Sequence, residues 1–349
     1  LFEPDLAHPG AADHPPAWAP TRFPADATET AFLTEAVIDW LDGRGDEPWF
    51  AHVSYIKPHP PYRAPAGYHD RYDPDAGPPF RRHPDRDAET ALHPLHAIGV
   101  VLAGCSTDEA EARQIRASYW GNMAEVDLQI GRLLDHLDAT GKAETTLVVL
   151  TADHGDQMGD HWLVEKLGWW DESFHIPLIV VDPRPEADAT RGAVVDDVTE
   201  SVDVLPTICA WLGEEVPLAV DGRALQPFLH GAGAPDDWRT EAHWQWDFGD
   251  PVRHLAEEAF GLTSEQCTLD VQRSATEKYV QFGDGSTLYF DLVADPDQLV
   301  DRSADPATAE ARAAAAARLL AWRMRHQDRT LTGHRLTKRG LVVRRDPRR

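Results

Sequence analysis

Residues 145–170 read TTLVVLTADHGDQMGDHWLVEKLGWW, and this stretch decides the fold class. Thr145 to Leu150 is a short β-branched and apolar run bounded by polar residues. That pattern predicts a fully buried strand of a parallel sheet. Asp153-His154-Gly155 follows at once. Open α/β sheets bind ligands beyond the carboxyl ends of their strands. A carboxylate and an imidazole therefore stand where such folds place their chemistry, and together they suit a divalent metal. Gly155 lets the backbone turn sharply behind them. Lys166, thirteen residues after Asp153 in a Gly- and Trp-rich loop, is a compact cation suited to a multiply charged oxyanion. The stretch alone leaves a plainer reading open, in which Asp153 caps a turn and His154 bonds locally.

Upstream, Ser106 to Thr140 has apolar Ile115, Tyr119, Met123, Val126, Ile130, Leu133 and Leu137 at steps of three and four, which predicts a long helix. Ser106 and Glu109 form a capping-box pattern at its start, and Gly141 ends it. Asn122, Glu125 and Asp127 read as solvated or helix-packing groups. Thr28 to Leu41 predicts an earlier helix, capped by Thr28 or Thr30. Trp49 to Ile56 reads as a strand, followed directly by Lys57-Pro58-His59-Pro60-Pro61-Tyr62. The prolines stiffen the loop that carries His59. Arg63 to Gly104 is loop-rich and is expected to shape a substrate entrance.

Downstream, Leu178 to Val181 predicts another buried strand, Thr199 to Gly213 a helix, and Gly222 to Gly231 a turn with a short helix. Strands alternating with helices argue for an α/β/α layer fold. After about Pro235 the pattern changes. His243 to Phe248, Leu269 to Ala275, Glu277 to Phe282 and Thr287 to Asp291 read as successive short strands, and Ala307 to Gln327 as an alanine-rich helix. The expected organisation is an α/β/α domain over residues 1–235 and an antiparallel sheet with one helix over 236–349. Leu1 to Pro24 reads as a loop and the last residues as frayed.

The totals exclude several classes. The chain has 349 residues and a net charge of −26 spread along its length. That argues against a broad basic surface for nucleic acid, and it requires any anionic substrate to find a local positive site. No run approaches the roughly twenty apolar residues of a membrane span. Cys105, Cys209 and Cys267 are widely spaced, which fits a reducing, cytoplasmic setting rather than a disulfide framework. Cys209 is expected to be buried.

Together these pieces resemble the sulfatases of the alkaline phosphatase superfamily, and most of all the branch of phosphonate monoester hydrolases and arylsulfatases. Thr151-Ala-Asp-His-Gly155, Met158-Gly-Asp-His161 and Lys166 are similar to its TSDHG…GDH…K signature. Lys57-Pro-His-Pro-Pro61 is similar to its PHPP loop, and Ser173-Phe-His-Ile-Pro-Leu178 to its SFRIPL strand. Val202-Asp-Val-Leu-Pro-Thr207, Asp221-Gly-Arg223 and Pro227-Phe-Leu229 resemble the segment that leads out of the main domain. Leu288-Tyr-Phe-Asp-Leu292 with Asp295-Pro296 resembles its C-terminal signature.

The resemblance implies an alkaline-phosphatase-like α/β/α sandwich. It implies metal-dependent hydrolysis of sulfuric esters or of phosphonate and phosphate esters, with calcium, manganese or magnesium as the divalent metal. It matches Asp153 and His154 to metal ligands, and Lys166 and His59 to catalytic contacts with the transferring group or the leaving group. His161 is expected to be structural. The family's nucleophile is a formylglycine made from the Cys of Cys-x-Pro-x-Arg, and none of the three cysteines has Pro and Arg at that spacing. The nucleophile and further acidic ligands are therefore expected in a segment missing from this chain, which by itself is expected to be inactive. A phosphoryl transferase of the same superfamily and a non-catalytic degenerate relative are the alternatives. The expected partner is a small anionic ester, with no nucleic acid and no membrane, and a homo-oligomer is compatible with the reading.

Overall fold

A computed structural model describes residues 18–217 and 219–326, and the backbone of residues 334–337 and 340–343. The loop read at the start of the chain lies mostly outside the described residues, as do Gln327 and the frayed end. The chain divides into two compact units, Leu1–Thr146 with Ala152–Ile176, and Leu147–Thr151 with Pro177–Arg349. The change of sequence pattern near residue 235 comes just before the four-stranded sheet, whose first strand starts at Glu241.

The first unit is helical. It contains α1 (Glu29–Asp42), α2 (Arg86–Thr90), α3 (Pro94–Ala103), α4 (Glu109–Ala139) and α5 (Asp171–Phe174). Thr28 caps α1 by accepting from the Ala31 amide, and Gly43 ends it. Asp108, rather than Ser106, caps α4 by accepting from the Ala110 and Glu111 amides. The buried face of α4 also departs from its apolar stripe. Ala112, Arg116, Ala117, Ser118, Gly121, Asn122, Glu125 and Gln129 are buried, whereas Met123 is exposed. Small and polar residues here meet α1 and the long loops, and Glu125 accepts from the Thr28 hydroxyl. Residues 47–56 form no strand, and Phe50 and Ile56 are exposed. The β-prone run has no ladder partner among the described residues, and a strand exists only where its backbone groups are paired.

The second unit holds β1 (Val148–Thr151), β2 (Leu178–Val181), α6 (Val204–Leu212), α7 (Gln226–Leu229), β3 (Glu241–Asp247), α8 (Leu255–Phe260), β4 (Thr268–Ser274), β5 (Glu277–Phe282), β6 (Thr287–Asp291), α9 (Ala309–His326), β7 (His334–Thr337) and β8 (Gly340–Val343). The fold class is α/β, but the pairing of the organising strand is a correction. β1 pairs antiparallel with β2, from Val148↔Val181 to Thr151↔Leu178, and its residues are only half-buried or exposed. An apolar β-branched run specifies a strand; it does not specify the direction of the partner.

The later strands form one antiparallel meander, in the order β3-β4-β5-β6. Their bounds lie within two residues of the sequence reading. α9 packs on the sheet through Ala315 and Leu319 against Tyr279 and Tyr289. Phe248 of the sheet's border, Phe260 of α8 and Phe282 of β5 form an aromatic cluster. Cys105, Cys209 and Cys267 are all buried free thiols. No helix of the described residues is long and apolar enough to cross a membrane.

Candidate active site

Asp153, His154, Lys166 and His59 all belong to the first unit. Gly155 is indispensable to the turn behind the first pair. Its amide donates to Ser173 O at 2.8 Å, and a Cβ there would stand 2.0 Å from Glu172 O.

The two histidines are oriented alike. His154 Nδ1 lies 2.8 Å from Gly155 O, and His59 Nδ1 lies 3.0 Å from Pro60 O. A carbonyl only accepts, so each Nδ1 carries the proton and each Nε2 presents a lone pair. Lys166 Nζ donates to His59 Nε2 at 3.0 Å. The two imidazole rings lie 5.9 Å apart, edge to face. The structure thus brings Lys166, His59 and His154 together, with the Asp153 carboxylate beside them. Asp153 Oδ2 lies 3.7 Å from His154 Nε2, and its side chain is 88% exposed.

Two donors at that separation are within reach of one divalent ion, whose ligand distances are about 2.0–2.6 Å. The backbone carbonyl on His154 Nδ1 supplies the outer hydrogen bond that fixes a metal-ligating tautomer. The residues fit a metal as part of a set, because no cluster of three or more such donors exists among the described residues.

The loop between His154 and Lys166 is held by groups that sequence reasoning passed over. Asp156 Oδ1 accepts from the Met158 and Glu165 amides at 3.1 and 2.8 Å, and its Oδ2 accepts from the Tyr62 hydroxyl at 2.9 Å. Burial raises the Asp156 carboxyl to about 6, although the hydrogen bonds from Met158, Tyr62 and Glu165 pull the other way. Burial also holds the Tyr62 hydroxyl far above the ordinary phenol range, with the Asp156 charge adding to the effect. Ser173 Oγ accepts from Gln157 Nε2 at 2.8 Å and from the Leu167 amide at 3.0 Å. Tyr62 directly follows the proline loop and Asp156 directly follows Gly155, and that adjacency was the only available signal.

His161 has the structural surroundings expected of it. It is fully buried, stacked on Trp170 at 3.6 Å, with Nδ1 2.8 Å from Glu89 Oε1 and Nε2 3.5 Å from Glu172 Oε2. Burial opposes its protonation, but the two carboxylates outweigh burial and raise its pKa.

Comparison with known proteins places the chain among relatives. Residues 9–214 match the Sulfatase family model, and residues 159–325 match the model of the C-terminal region of N-sulphoglucosamine sulphohydrolase. The multifunctional alkaline phosphatase superfamily protein PehA of Trinickia caryophylli is 41% identical over 356 residues, covering 99% of this chain and 68% of that protein. An arylsulfatase of Clostridium perfringens is 26% identical, over 81% of this chain and 55% of its own length. Among solved structures, the phosphonate monoester hydrolase of Agrobacterium radiobacter superposes with a TM-score of 0.88 at 39% identity, over 96% of this chain and 68% of that one. The phosphonate monoester hydrolase of Silicibacter pomeroyi gives 0.86 at 35% identity, over 99% and 71%.

Proposed function

The chain belongs to the sulfatase family, and from that premise we propose that it carries part of a site for metal-dependent hydrolysis of sulfuric esters or of phosphonate and phosphate monoesters. The observation that carries the reading is the Lys166–His59 contact at 3.0 Å, beside the His154 ring. It puts a fixed cation, an imidazole and a metal-type ligand pair within one small group of side chains.

Asp153 and His154 would hold the metal, which when bound neutralises nonbridging ester oxygens and activates a nucleophile. Lys166 has three N–H donors and spends one on His59, so two remain for the oxygens of the transferring group. Preorganised charge of this kind stabilises the transition state more than the ground state. In the resting tautomer His59 Nε2 is an acceptor. A proton placed there breaks the Lys166 hydrogen bond, releases the ammonium fully to the substrate, and makes Nε2–H a donor for the departing oxygen. That is general-acid geometry.

The sequence has no Cys-x-Pro-x-Arg nucleophile, so turnover is expected from a protein that supplies one and not from these residues by themselves. The buried thiols support the cytoplasmic setting, and residues 236–349 are taken as the C-terminal subdomain. The test is an aryl sulfate and aryl phosphonate assay with manganese or calcium, on a protein that also carries the nucleophile segment. Lys166→Ala should lower kcat by roughly 10²–10³-fold, more than it raises KM. A rise in KM as large as the fall in kcat, or an unchanged kcat, would refute the role of Lys166.

A further inference from the structure

We propose that Tyr62 and Asp156 are positioning residues for this site, a hydrogen-bonded pair that sets Lys166 against His59. The inference rests on the ester-hydrolase reading for its purpose, but on geometry alone for its content.

The two residues join the three segments that meet at the site. Tyr62 ends the proline loop that carries His59, Asp156 follows Asp153-His154-Gly155, and Glu165 directly precedes Lys166. The Glu165 amide donates both to Asp156 Oδ1 at 2.8 Å and to the Tyr62 hydroxyl oxygen at 3.1 Å, while the Tyr62 hydroxyl donates to Asp156 Oδ2 at 2.9 Å. This triangle pins the residue before Lys166, as Ser173 Oγ pins the amide of the residue after it. Tyr62 is 3% exposed, so water does not replace these bonds.

Glu165 adds an independent observation. Its φ is +62°, in the left-handed region, as are those of Met158, His161 and Trp162. Side chains other than glycine adopt that region at a cost and keep it where the surroundings over-determine it. The two acceptors on the Glu165 amide are such a constraint, and the conformation they hold determines where Lys166 emerges. A displacement of about 1 Å in a catalytic group costs on the order of a hundredfold in rate, so a pair that fixes the backbone beside Lys166 matters to turnover without touching substrate.

The test uses the 349-residue chain with ¹⁵N-labelled histidine, read at His59 Nε2 by NMR, because that nitrogen is the acceptor for Lys166. Tyr62→Phe should shift the Nε2 resonance. The shift should vanish in a Lys166→Ala background, where there is no ammonium left to misplace. Tyr119→Phe is the control, since its ring packs edge to face on Tyr62 at 6.1 Å. It should leave His59 Nε2 unchanged. Asp156→Asn keeps an acceptor for the Glu165 amide and removes the one for Tyr62, so it serves as the second variant should Tyr62→Phe fail to fold. In an active, nucleophile-bearing form, Tyr62→Phe should lower kcat about tenfold with KM changed less than about twofold. Unchanged His59 Nε2 in both variants, or equal shifts with and without Lys166, overturns the proposal. Absence of ester turnover in the active form before mutation would refute the functional reading, and the NMR result would still decide the positioning role.

Discussion

The four-stranded sheet of the second unit and the loop from Asp153 to Leu167 in the first are ordered by opposite means. The sheet is a continuous backbone ladder, with Trp244↔Val271, Val271↔Val280 and Val280↔Leu288 as successive partners across it. Its side chains contribute volume, and Val271, Val280 and Phe290 are wholly buried. The loop has only short backbone contacts, such as the Gln157 amide to Glu165 O at 2.8 Å. Single polar atoms from distant residues hold the rest of it. The sheet therefore tolerates changes of detail but not loss of bulk, whereas the loop is sensitive to one oxygen.

The largest expected effect is on the sheet. Phe290→Ala removes a fully buried aromatic, and urea unfolding should show a loss of about 3–5 kcal/mol. A loss below about 1 kcal/mol would mean that the sheet does not depend on bulk. Ser173→Ala changes a single oxygen yet strands two buried donors, Gln157 Nε2 and the Leu167 amide. It should cost about 1–3 kcal/mol. An unchanged midpoint would erase the contrast between loop and sheet.

A smaller effect comes from pH. Burial depresses His96 to about 4, and neither of its ring nitrogens has a hydrogen-bond partner among the described residues. The unfolded chain takes up this proton near pH 6.5 and the folded chain does not. Stability should therefore be complete above pH 6.5 and fall as pH drops toward 4, by on the order of 1–2 kcal/mol at pH 5. His243, depressed to about 4 by burial and then by His326 and nearby arginines, acts in the same direction, and His161 opposes it. His96→Leu should flatten the profile between pH 7 and 5. An unaltered slope would show that His96 does not titrate on unfolding.

The same contrast explains what the sequence made legible. Four short strand-like runs in succession, followed by one alanine-rich helix, declare a meander with a helix on it. Asp153, His154, Lys166 and His59 stood out in the sequence by residue type, and the structure brings Lys166, His59 and His154 together. Three features were not legible. The direction of β1 depends on a partner thirty residues away. The buried face of α4 is mostly polar and small, and it meets α1 and the long loops. Tyr62 and Asp156 act through hydrogen bonds across 94 residues of sequence, and no local period encodes such a pairing.

The proposed function requires Asp153, His154, Lys166 and His59 to surround one place where a divalent ion and an anionic ester meet. Titration of the chain with manganese(II), followed by NMR line broadening of the histidine rings, tests it most directly. Weak binding is expected, because two donors make an incomplete site, with the His154 ring broadened first and the His59 ring next, and both effects lost in His154→Ala. Broadening that spares His154 and His59, or tight stoichiometric binding that survives His154→Ala, would contradict it.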